Sequence, residues 1–568
     1  MNLNQRVEEW LKAPFDRETQ IEVEKLKQDT KLLEDAFYTD ISFGTGGMRG
    51  KMGVGSNRIN KYTLGKASQG LSNYLNNINS ATKKKGLPKI VIAYDSRHNS
   101  KAYAELIAGI FSANTISTYL FDDLRPTPML SFAVRHLQAD AGIVLTASHN
   151  PPEYNGYKVY NQYGGQITPP EDEAIIDWIN KTQFKDIRWE VNHQHIHTIG
   201  QEIDKAYETK MLEQRVVSPL STQKTRIVFS PLHGTAIKNL PPLLKLAGYD
   251  HCSTVLQQST PDGNFPTVCS PNPEDPEAFQ MAIEQGDREN ANLIMATDPD
   301  ADRIGVCVKN NKGQWQFLNG NQLMTVLVRF VLENKKLNPQ MFVASTIVST
   351  PLIEKISAAK KIECLLTLTG FKWIGKLIQD HPEKQFLCGG EESYGFLLGD
   401  QVRDKDAIST ALLIADLHAH LQAQGKTIQQ YLLETYLAFG LYHETLVSMT
   451  KEGKKGQEEI QSMMTKLRFH PPQFLDGTRV TDIDDYLSGE NTTADGKSTP
   501  LDLPKANVLR IHLEDGSRVA IRPSGTEPKV KLYFSTNVCL DRLEDYPQKI
   551  KVLENKIENL SQSIHALF

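Results

Sequence analysis

Thr146-Ala-Ser-His-Asn-Pro-Pro152 directly follows the apolar run Ala141-Gly-Ile-Val-Leu145. A short apolar run of this kind is typical of a buried strand. The strand must end here, because Pro151 and Pro152 lack N–H groups and favour an extended turn. This pattern places Ser148 on a loop at the end of a strand, beside His149. Since ligands bind at the carboxyl ends of strands in open α/β sheets, we expect Ser148 to lie in a functional site.

The same unit, a short apolar strand followed by a polar or glycine-rich loop, recurs along the chain. Strands are predicted at 89–94, 141–145, 226–230, 291–296, 341–344 and 386–388. Strands that alternate with helices are typical of α/β domains. The recurrence predicts three similar α/β units of roughly 100–150 residues each.

The C-terminal part of the chain has a different character. Antiparallel strands are predicted at 508–513, 518–521 and 529–534, and the polar stretch 488–500 is predicted to be an exposed loop. A final helix carries an apolar stripe, which we expect to pack on this sheet. The stripe consists of Ile550, Leu553, Ile557, Leu560 and Ile564.

Composition and charge argue against several classes of protein. A formal net charge of -5 over 568 residues is mildly acidic and gives no reason to expect nucleic-acid binding. The basic runs at 83–85 and 451–455 stand beside glycines, so we interpret them as solvated loops. The length itself suggests three to four domains, each able to bury its own core.

Targeting signals and cysteine usage indicate a cytoplasmic protein. The first ten residues contain no basic segment followed by an apolar one, so no signal peptide is predicted. The most hydrophobic stretch, 323–332, is too short to span a bilayer and contains Arg329. The six cysteines are scattered, without a Cys-x-x-Cys pair, which predicts buried free thiols in a reducing compartment. We therefore expect neither a membrane nor a nucleic acid as partner.

Asp298, Asp300 and Asp302 alternate directly after the predicted strand 291–296. Three carboxylates this close repel one another unless a cation lies between them, and their oxygens suit Mg²⁺. An EF-hand calcium loop is excluded, since its sixth position would be Arg303 and its twelfth Lys309. The alternative is a capped turn with solvated carboxylates. A metal held here would keep open positions for a phosphate oxygen, and Arg303 would help to neutralise that phosphate.

Ser148 is the candidate carrier of such a phosphate. His149 and Lys158 follow it closely in the sequence and supply polar and charged groups. A serine nucleophile of the hydrolase type usually occupies a Gly-x-Ser-x-Gly elbow, which Ser148 lacks. The sequence therefore argues against an esterase and favours phosphate chemistry.

Three further loops have the composition of anion or sugar sites. Residues 43–50 are glycine-rich, so their N–H groups can approach an anion, and Arg49 adds a charge; a simple turn is the alternative. Residues 390–395 include Glu391, Glu392 and Ser393, whose side chains suit vicinal hydroxyls. Residues 522–526 combine a guanidinium, two hydroxyls and glycine N–H, which suits a phosphate dianion as well as an ordinary turn.

The chain resembles the α-D-phosphohexomutase superfamily over nearly its whole length. The four signatures of the superfamily occur in its own order: a phosphoserine loop at 146–151, a metal loop at 298–303, a sugar loop at 390–395 and a phosphate loop at 522–526. Thr369-Gly-Phe-Lys372-Trp-Ile-Gly375 also resembles the segment that carries an acid/base lysine in phosphoglucomutases, the members that the chain resembles most.

The resemblance implies an α/β fold of phosphohexomutase-like architecture. Three related α/β domains and a C-terminal α+β domain would surround a central cleft. The expected domains are 1–210 with the phosphoserine loop, 211–316 with the metal loop, 317–443 with the sugar loop and 444–568 with the phosphate loop.

The resemblance also implies a mechanism. Ser148 would be phosphorylated, and it would bind Mg²⁺ together with Asp298, Asp300 and Asp302. The phosphoserine would turn a hexose monophosphate into glucose 1,6-bisphosphate, which is expected as intermediate and activator. The implied catalytic residues are Ser148, His149, Lys158, Arg303, Lys372 and Arg49, with His149 and Lys372 as alternative general bases. The implied substrate-binding residues are Thr369, Gly370, Glu391, Ser393, Arg522, Ser524, Gly525 and Thr526.

The substrate is expected to be a small phosphosugar, and glucose 1-phosphate is favoured. Glu391-Glu-Ser-Tyr394 resembles the glucose-type members of the superfamily more than the mannose-type members. A phosphopentomutase, a phosphomannomutase or a glucose-1,6-bisphosphate synthase would keep the same loops. A sugar-phosphate phosphatase, in which water accepts the phosphate, is an alternative from another class. The sequence leaves the oligomeric state open between monomer and dimer.

Overall fold

The computed structural model describes residues 2–44, 46–218, 222–310, 312–451, 453–524 and 529–567. The chain forms two compact units. The first contains Met1–Gly320 and Phe371–Gly425, and the second contains Asn321–Gly370 and Lys426–Phe568.

The two units contain α-helices and β-strands in alternation over most of their length. The helices are α1 (Leu3–Trp10), α2 (Arg17–Leu26), α3 (Thr30–Phe37), α4 (Lys61–Ala81), α5 (Ser100–Ala113), α6 (Thr127–His136), α7 (Glu171–Lys181), α8 (Gln201–Glu213), α9 (Leu240–Leu246), α10 (Leu256–Ser259), α11 (Gln280–Arg288), α12 (Gly320–Asn334), α13 (Leu352–Ala359), α14 (Lys372–Asp380), α15 (Ala407–Ala423), α16 (Ile428–Phe439), α17 (Gly453–Phe469) and α18 (Tyr546–His565). The strands are β1 (Gly47–Lys51), β2 (Lys89–Tyr94), β3 (Ser117–Phe121), β4 (Ala141–Leu145), β5 (Tyr154–Asn161), β6 (Ile196–Ile199), β7 (Ile227–Ser230), β8 (Cys252–Thr254), β9 (Leu293–Thr297), β10 (Ile304–Lys309), β11 (Trp315–Leu318), β12 (Met341–Thr346), β13 (Glu363–Thr367), β14 (Gln385–Glu391), β15 (Gly395–Leu398), β16 (Leu441–Thr450), β17 (Phe474–Leu475), β18 (Thr478–Asp485), β19 (Glu490–Thr493), β20 (Ser498–Pro500), β21 (Leu509–Leu513), β22 (Arg518–Pro523) and β23 (Lys529–Val538).

A six-stranded sheet with the order β1-β5-β4-β2-β3-β6 carries the serine loop. Strands β2, β3, β4 and β6 run parallel, while β5 and β1 are antiparallel to their neighbours. All five residues of β4 are buried. A strand covered on both faces has to be apolar throughout, and this explains the continuous run 141–145. The prediction of this strand is confirmed.

A second sheet of the first unit carries the aspartate loop. Its order is β11-β10-β9-β7-β8, and β9 and β10 form an antiparallel pair in which Thr297 faces Ile304. The aspartates therefore lie on the tight connection of a hairpin, where the left-handed backbone of Ala301 (φ 53°) reverses the chain. The first unit also contains the hairpin β14–β15, in which Glu391 faces Gly395.

The second unit contains a parallel pair, β12 and β13, and an eight-stranded antiparallel sheet. Along this sheet the order is β16-β23-β22-β21-β18-β19-β20, and β17 pairs with β18. The predicted strands β21, β22 and β23 are confirmed as antiparallel neighbours. Helix α18 packs on β16 and β23 and buries four of the five residues of the predicted stripe, Leu553, Ile557, Leu560 and Ile564. The fifth, Ile550, is half-buried.

The prediction of an exposed loop at 488–500 is wrong in part. The segment is exposed, but it contains the paired strands β19 and β20. Its sequence is polar on both faces, because this hairpin forms the edge of the sheet and buries neither face. Period-two alternation, the signal by which a strand is recognised, is therefore missing.

All six cysteines lie in the described part of the chain and are free thiols. Cys307 and Cys388 are buried as expected, but Cys269 and Cys539 are exposed. The prediction that all six are buried is therefore wrong. Among the helices of the described ranges, none is long and apolar enough to cross a bilayer.

Glu444 on β16 makes the stability of the second unit depend on pH. Burial raises the pKa of its carboxyl group from 4.5 to about 7, although the neighbouring hydroxyls of Thr350 and Ser535 act against this rise. The folded chain thus keeps a proton that the unfolded chain has already released. The contribution of Glu444 to stability is therefore full below about pH 4.5 and decreases as the pH rises through about 7.

We expect Glu444→Gln to remove this decrease, because the amide cannot ionise. Between about pH 5 and pH 8, the melting temperature should fall by a few degrees less in the variant than in the wild type, measured by scanning calorimetry. Glu514→Gln, at an exposed position of the same unit, is the control and should follow the wild type. An equal pH response of both variants would contradict the assignment.

Candidate active site

Ser148 lies just beyond the end of β4 and faces the aspartate loop. Its Oγ donates a hydrogen bond of 2.7 Å to Asp298 Oδ2 and lies 3.2 Å from His149 Nδ1. The backbone of Ser148 is left-handed, with φ 53°, and its N–H donates to Thr146 Oγ1 at 2.8 Å. Such a conformation is costly for a non-glycine residue and persists only where the surroundings hold it.

Arg97, on the loop after β2, binds the main chain of the serine loop. Its guanidinium donates to the carbonyl oxygens of Ser148 (2.6 Å), Pro151 (2.8 Å), Tyr154 (3.0 Å) and Asn150. The side chain has no solvent exposure and lies 3.4 Å from the carboxylate of Asp95. Arg97 was not among the predicted site residues, because its role is to bind main-chain oxygens, which leave no pattern in the sequence.

We expect Arg97→Met to lower the free energy of unfolding of the first unit by about 3–5 kcal/mol, because it removes the cation beside the buried Asp95 carboxylate and the donor shared by four carbonyl oxygens of the serine loop. All five tryptophans lie in this unit, so urea unfolding followed by tryptophan fluorescence measures the effect.

The matched control is Arg17→Met in the same unit, at a position whose side chain is exposed, and it should change stability by less than about 0.5 kcal/mol. If both variants unfold at the wild-type urea concentration, Arg97 does not hold the loop.

The three predicted metal ligands lie together. Asp298, Asp300 and Asp302 are buried, and one carboxylate oxygen of each lies within 4.8 Å of the others. Asp298 Oδ1 accepts hydrogen bonds from the N–H groups of Asp302 and Arg303 at 3.1 and 3.0 Å. Asp300 Oδ1 and Asp302 Oδ1 are buried and have no hydrogen-bond partner among the described residues. Unsatisfied buried carboxylate oxygens fit a divalent cation.

Two lysines shape the electrostatics of this cluster. Burial acts to raise the pKa of Asp300, but the ammonium of Lys158 at 2.8 Å holds that pKa well below its ordinary value. Asp302 lies 3.2 Å from Lys405 and 3.4 Å from Lys158, and its pKa is lowered against burial by the same two charges. Asp298 has no such lysine beside it among the described residues, so burial and the two neighbouring carboxylates raise its pKa well above the ordinary value, although the charge of Arg303 acts against this rise. Lys405 is a site residue that the sequence motifs did not reveal.

Three predicted residues of the first unit surround the serine and the aspartates. Arg303 forms an ion pair with Glu274, and its Nε lies 3.9 Å from Asp302 Oδ1. Arg49, on β1, donates to Asn150 Oδ1 at 3.4 Å. Burial lowers the pKa of His149 to about 3, with help from the charges of Arg303 and Arg49. The imidazole is therefore neutral near pH 7.

The sugar loop lies in the same unit. Glu391 is the last residue of β14 and is buried, 3.9 Å from the ammonium of Lys405. Burial raises the pKa of Glu391 to about 7, and the charge of Lys405 acts against this rise. Ser393 is half-buried on the connection to β15. Lys372 is the first residue of α14, and its ammonium lies 5.1 Å from the centre of the Trp373 ring.

The remaining predicted residues belong to the second unit. Thr369 and Gly370 follow β13 and are half-buried, and Gly370 has a φ of 103°. Arg522 lies on β22 opposite Lys531 of β23. The N–H of Ser524 donates to the carbonyl of Lys529 at 2.7 Å. Gly525 and Thr526 lie outside the described residues.

Four models of one family match the chain in order. They are the phosphoglucomutase/phosphomannomutase alpha/beta/alpha domain I at residues 40–186, domain II at 205–313, domain III at 319–438 and the C-terminal domain at 459–550. The domain boundaries predicted from the sequence stay a prediction.

Relatives of similar length match nearly the whole chain. The phosphoglucomutase of Staphylococcus aureus (strain MRSA252) is 37% identical over 525 residues, which cover 91% of this chain and 93% of that protein. The phosphoglucomutase of Staphylococcus haemolyticus (strain JCSC1435) is 37% identical over 528 residues, with coverages of 92% and 95%.

Two solved structures share the fold. The open form of pp63/parafusin, a phosphoglucomutase from Paramecium, has a TM-score of 0.69 at 19% identity and covers 93% of this chain and 96% of that chain. A phosphoglucomutase/phosphomannomutase family protein from Burkholderia thailandensis has a TM-score of 0.65 at 20% identity, with coverages of 93% and 98%. The predicted α/β fold and the predicted resemblance are confirmed, and the chain belongs to the phosphoglucomutase/phosphomannomutase family of the phosphohexomutases.

Proposed function

We propose that this isomerase interconverts α-D-glucose 1-phosphate and glucose 6-phosphate through a phosphoserine at Ser148 and a bound glucose 1,6-bisphosphate. The observation that carries the proposal is the contact of 2.7 Å between Ser148 Oγ and Asp298, which joins a strand-end serine to a buried cluster of carboxylates. The names of the full-length relatives support the choice of glucose phosphate.

In the proposed reaction the P–O bond at Ser148 breaks while a new P–O bond forms to a free hydroxyl of the sugar phosphate. The proton of that hydroxyl passes to a general base. The bisphosphate then turns over, and its other phosphoryl group returns to Ser148 as the hydroxyl of the product regains a proton. The serine ends each cycle phosphorylated, so no phosphate is lost.

The described residues divide naturally between charge and proton transfer. Lys158 and Lys405 have pKa values raised above the ordinary value by the buried aspartates, although burial acts against this rise. They remain ammonium groups and can stabilise charge on the transferred phosphoryl group. His149 is neutral and lies beside Ser148 Oγ, so we propose it as the proton acceptor, with Lys372 as the alternative.

Ser148, Asp298, Asp300 and Asp302 would hold Mg²⁺. The unsatisfied oxygens Asp300 Oδ1 and Asp302 Oδ1 support this assignment. When bound, the cation supplies positive charge to the transferring phosphoryl oxygens. Arg303 and Arg49 would add charge on the same side of the loop.

The roles in substrate binding remain proposals. Glu391 and Ser393 would bind sugar hydroxyls, with Thr369 and Gly370 beside Lys372 in the sequence. Arg522, Ser524, Gly525 and Thr526 would bind the phosphate that is not being transferred, because a guanidinium with hydroxyl and N–H donors suits a phosphate dianion.

A comparison of kcat/KM for glucose 1-phosphate, mannose 1-phosphate and ribose 1-phosphate tests the proposal. We expect the highest value for glucose 1-phosphate and a product that carries phosphate at position 6. A preference for mannose 1-phosphate or ribose 1-phosphate would assign a phosphomannomutase or a phosphopentomutase instead. Release of inorganic phosphate in step with substrate loss would indicate a phosphatase, and net accumulation of bisphosphate a synthase.

A further inference from the structure

The first unit contains a cavity of about 750 Å³ whose wall carries an excess of positive charge. The loop after α4, the C-terminal end of α6 and the turn after β5 contribute to its wall. Five cationic side chains and a single carboxylate line it: Lys84, Lys85, Lys89, Arg135 and Arg403 against Asp140. In a chain whose formal net charge is -5, such a cluster is not explained by overall composition.

The two arginines of this cavity share one carboxylate. Arg403 Nη2 lies 3.2 Å and Arg135 Nη2 lies 3.9 Å from Asp400 Oδ2, and both guanidinium groups donate to the carbonyl of Asp400. Their side chains are only 12% and 28% exposed, respectively. Burial lowers the pKa of Arg403 to about 10, and the charge of Arg135 lowers it further against Asp400. Two largely buried guanidinium groups that share one carboxylate carry one positive charge more than that carboxylate neutralises.

The carboxylate that lines the cavity belongs to Asp140, and it is engaged by Lys84 and Lys89 rather than by the arginines. Lys84 forms an ion pair of 2.5 Å with Asp140, whose other oxygen accepts the N–H of Lys89. The ammonium of Lys89 donates to the carbonyl of Leu137 at 3.3 Å. The carbonyls at the end of α6 carry only a partial negative charge. Asp140 is therefore already engaged, and the described residues leave the Arg135–Arg403 pair with Asp400 alone.

We propose that this cavity binds a small phosphate-bearing metabolite through Arg135 and Arg403, beside Asp400. Two planar guanidinium groups side by side match the oxygens of a phosphate dianion. A volume of about 750 Å³ lies in the range of small-molecule sites. The largely buried position of both arginines favours a small ligand over a polyanion or an acidic protein surface. Ser117, Gln138, Gln162 and Tyr163 also line the cavity and offer polar contacts to the rest of the ligand.

This cavity is separate from the site at Ser148. Helix α6 begins at Thr127, which donates to Asp300 Oδ2 at 2.9 Å, and Arg135 lies eight residues further along the same helix, about 12 Å away. Arg403 precedes Lys405 by two residues, and its N–H donates to Ser131 Oγ of α6 at 2.9 Å. The two sites thus share a helix and a loop but no ligand-binding side chain. The proposal does not depend on which sugar phosphate the enzyme isomerises.

Crystals of the full chain soaked in tungstate, a heavy analogue of phosphate, would locate the site directly. We expect anomalous density in the cavity against Arg135 and Arg403, in addition to any density beside Ser148. Density confined to the Ser148 loop, or none, would overturn the proposal without any need for a variant.

Calorimetric titration of the full chain with pyrophosphate tests the site in solution. Arg135→Gln and Arg403→Gln are each expected to raise the Kd of pyrophosphate at this cavity by about tenfold or more, since each removes a charged donor. Binding of pyrophosphate at the Ser148 site should stay as it is in the wild type. The control Arg542→Gln, at a position with 71% exposure, should bind as the wild type does. Tungstate density without any effect of Arg135→Gln or Arg403→Gln in solution would mean an adventitious ion only. A cavity that binds a nucleic acid or an acidic peptide but not pyrophosphate would equally refute a small-metabolite site.

Discussion

Replacing Ser148 by alanine is expected to lower the kcat of mutase turnover by about 10³-fold or more, because the variant lacks the oxygen that carries the phosphoryl group. The fold should survive. The left-handed backbone at this position (φ 53°) is equally costly for serine and alanine, since both have a Cβ atom. The serine loop is held through its carbonyl oxygens by Arg97, and this contact does not involve the Ser148 side chain.

Ser96→Ala is the matched control for this experiment. Ser96 follows β2 in the same sheet, and its buried Oγ has no hydrogen-bond partner among the described residues, so its loss should leave kcat unchanged. Radiolabelled phosphate from glucose 1-phosphate should remain attached to the wild type and to Ser96→Ala but not to Ser148→Ala. Full activity of Ser148→Ala, or labelling of another residue in it, would refute the phosphoserine mechanism.

The parts of the site that the sequence predicts are those with local patterns. Ser148 could be placed because strand β4 is apolar on both faces and proline ends it within a few residues. The aspartates could be placed because three carboxylates alternate at the end of strand β9, where only a cation relieves their repulsion. In both cases the reactive side chains lie within six residues of the end of a strand that can be recognised in the sequence.

The residues that sequence reasoning missed act over long distances along the chain. Arg97 precedes the carbonyl of Ser148 by 51 positions, and Lys405 is more than a hundred residues from Asp302, its partner at 3.2 Å. An arginine that binds main-chain oxygens, or a lysine that neutralises a distant carboxylate, has no periodicity that distinguishes it from a surface residue. Only the pairing of β2 with β4 and the folding of the 399–406 segment toward the aspartate loop bring these charges into the site.

Removal of the divalent cation by a chelator is expected to abolish activity, and added Mg²⁺ is expected to restore it. Carboxylate oxygens of the buried Asp298, Asp300 and Asp302 lie within 4.8 Å of one another. Among the described lysines, only Lys158 and Lys405 lie within ion-pair distance of Asp300 or Asp302. Two buried oxygens still lack a partner. A cation that contacts both oxygens should bind the folded chain and not the unfolded chain, and it should therefore stabilise the fold.

This stabilisation can be measured without activity. At a Mg²⁺ concentration of 100 times Kd, binding adds about 2.7 kcal/mol to the wild type, which raises the melting temperature by several degrees. Asp302→Asn removes one of the two unsatisfied carboxylate oxygens and a full negative charge. If its Kd rises by about 100-fold, the gain at the same concentration falls to about 0.4 kcal/mol. The metal-dependent rise in melting temperature should then nearly vanish.

Asp482→Asn is the control, because the second unit contains another cluster with metal-ligand spacing, formed by Asp482, Asp484 and His512. There, Asp484 already accepts from Arg510 and His512 at 2.8 and 2.9 Å, so its charge is neutralised without a cation. Asp482→Asn should therefore keep the full Mg²⁺-dependent rise. If Asp482→Asn loses this rise and Asp302→Asn keeps it, the metal lies in the second unit. If the wild type shows no rise and its activity resists chelation, the aspartates near Ser148 work without a metal, and Lys158, Lys405 and Arg303 must balance their charge.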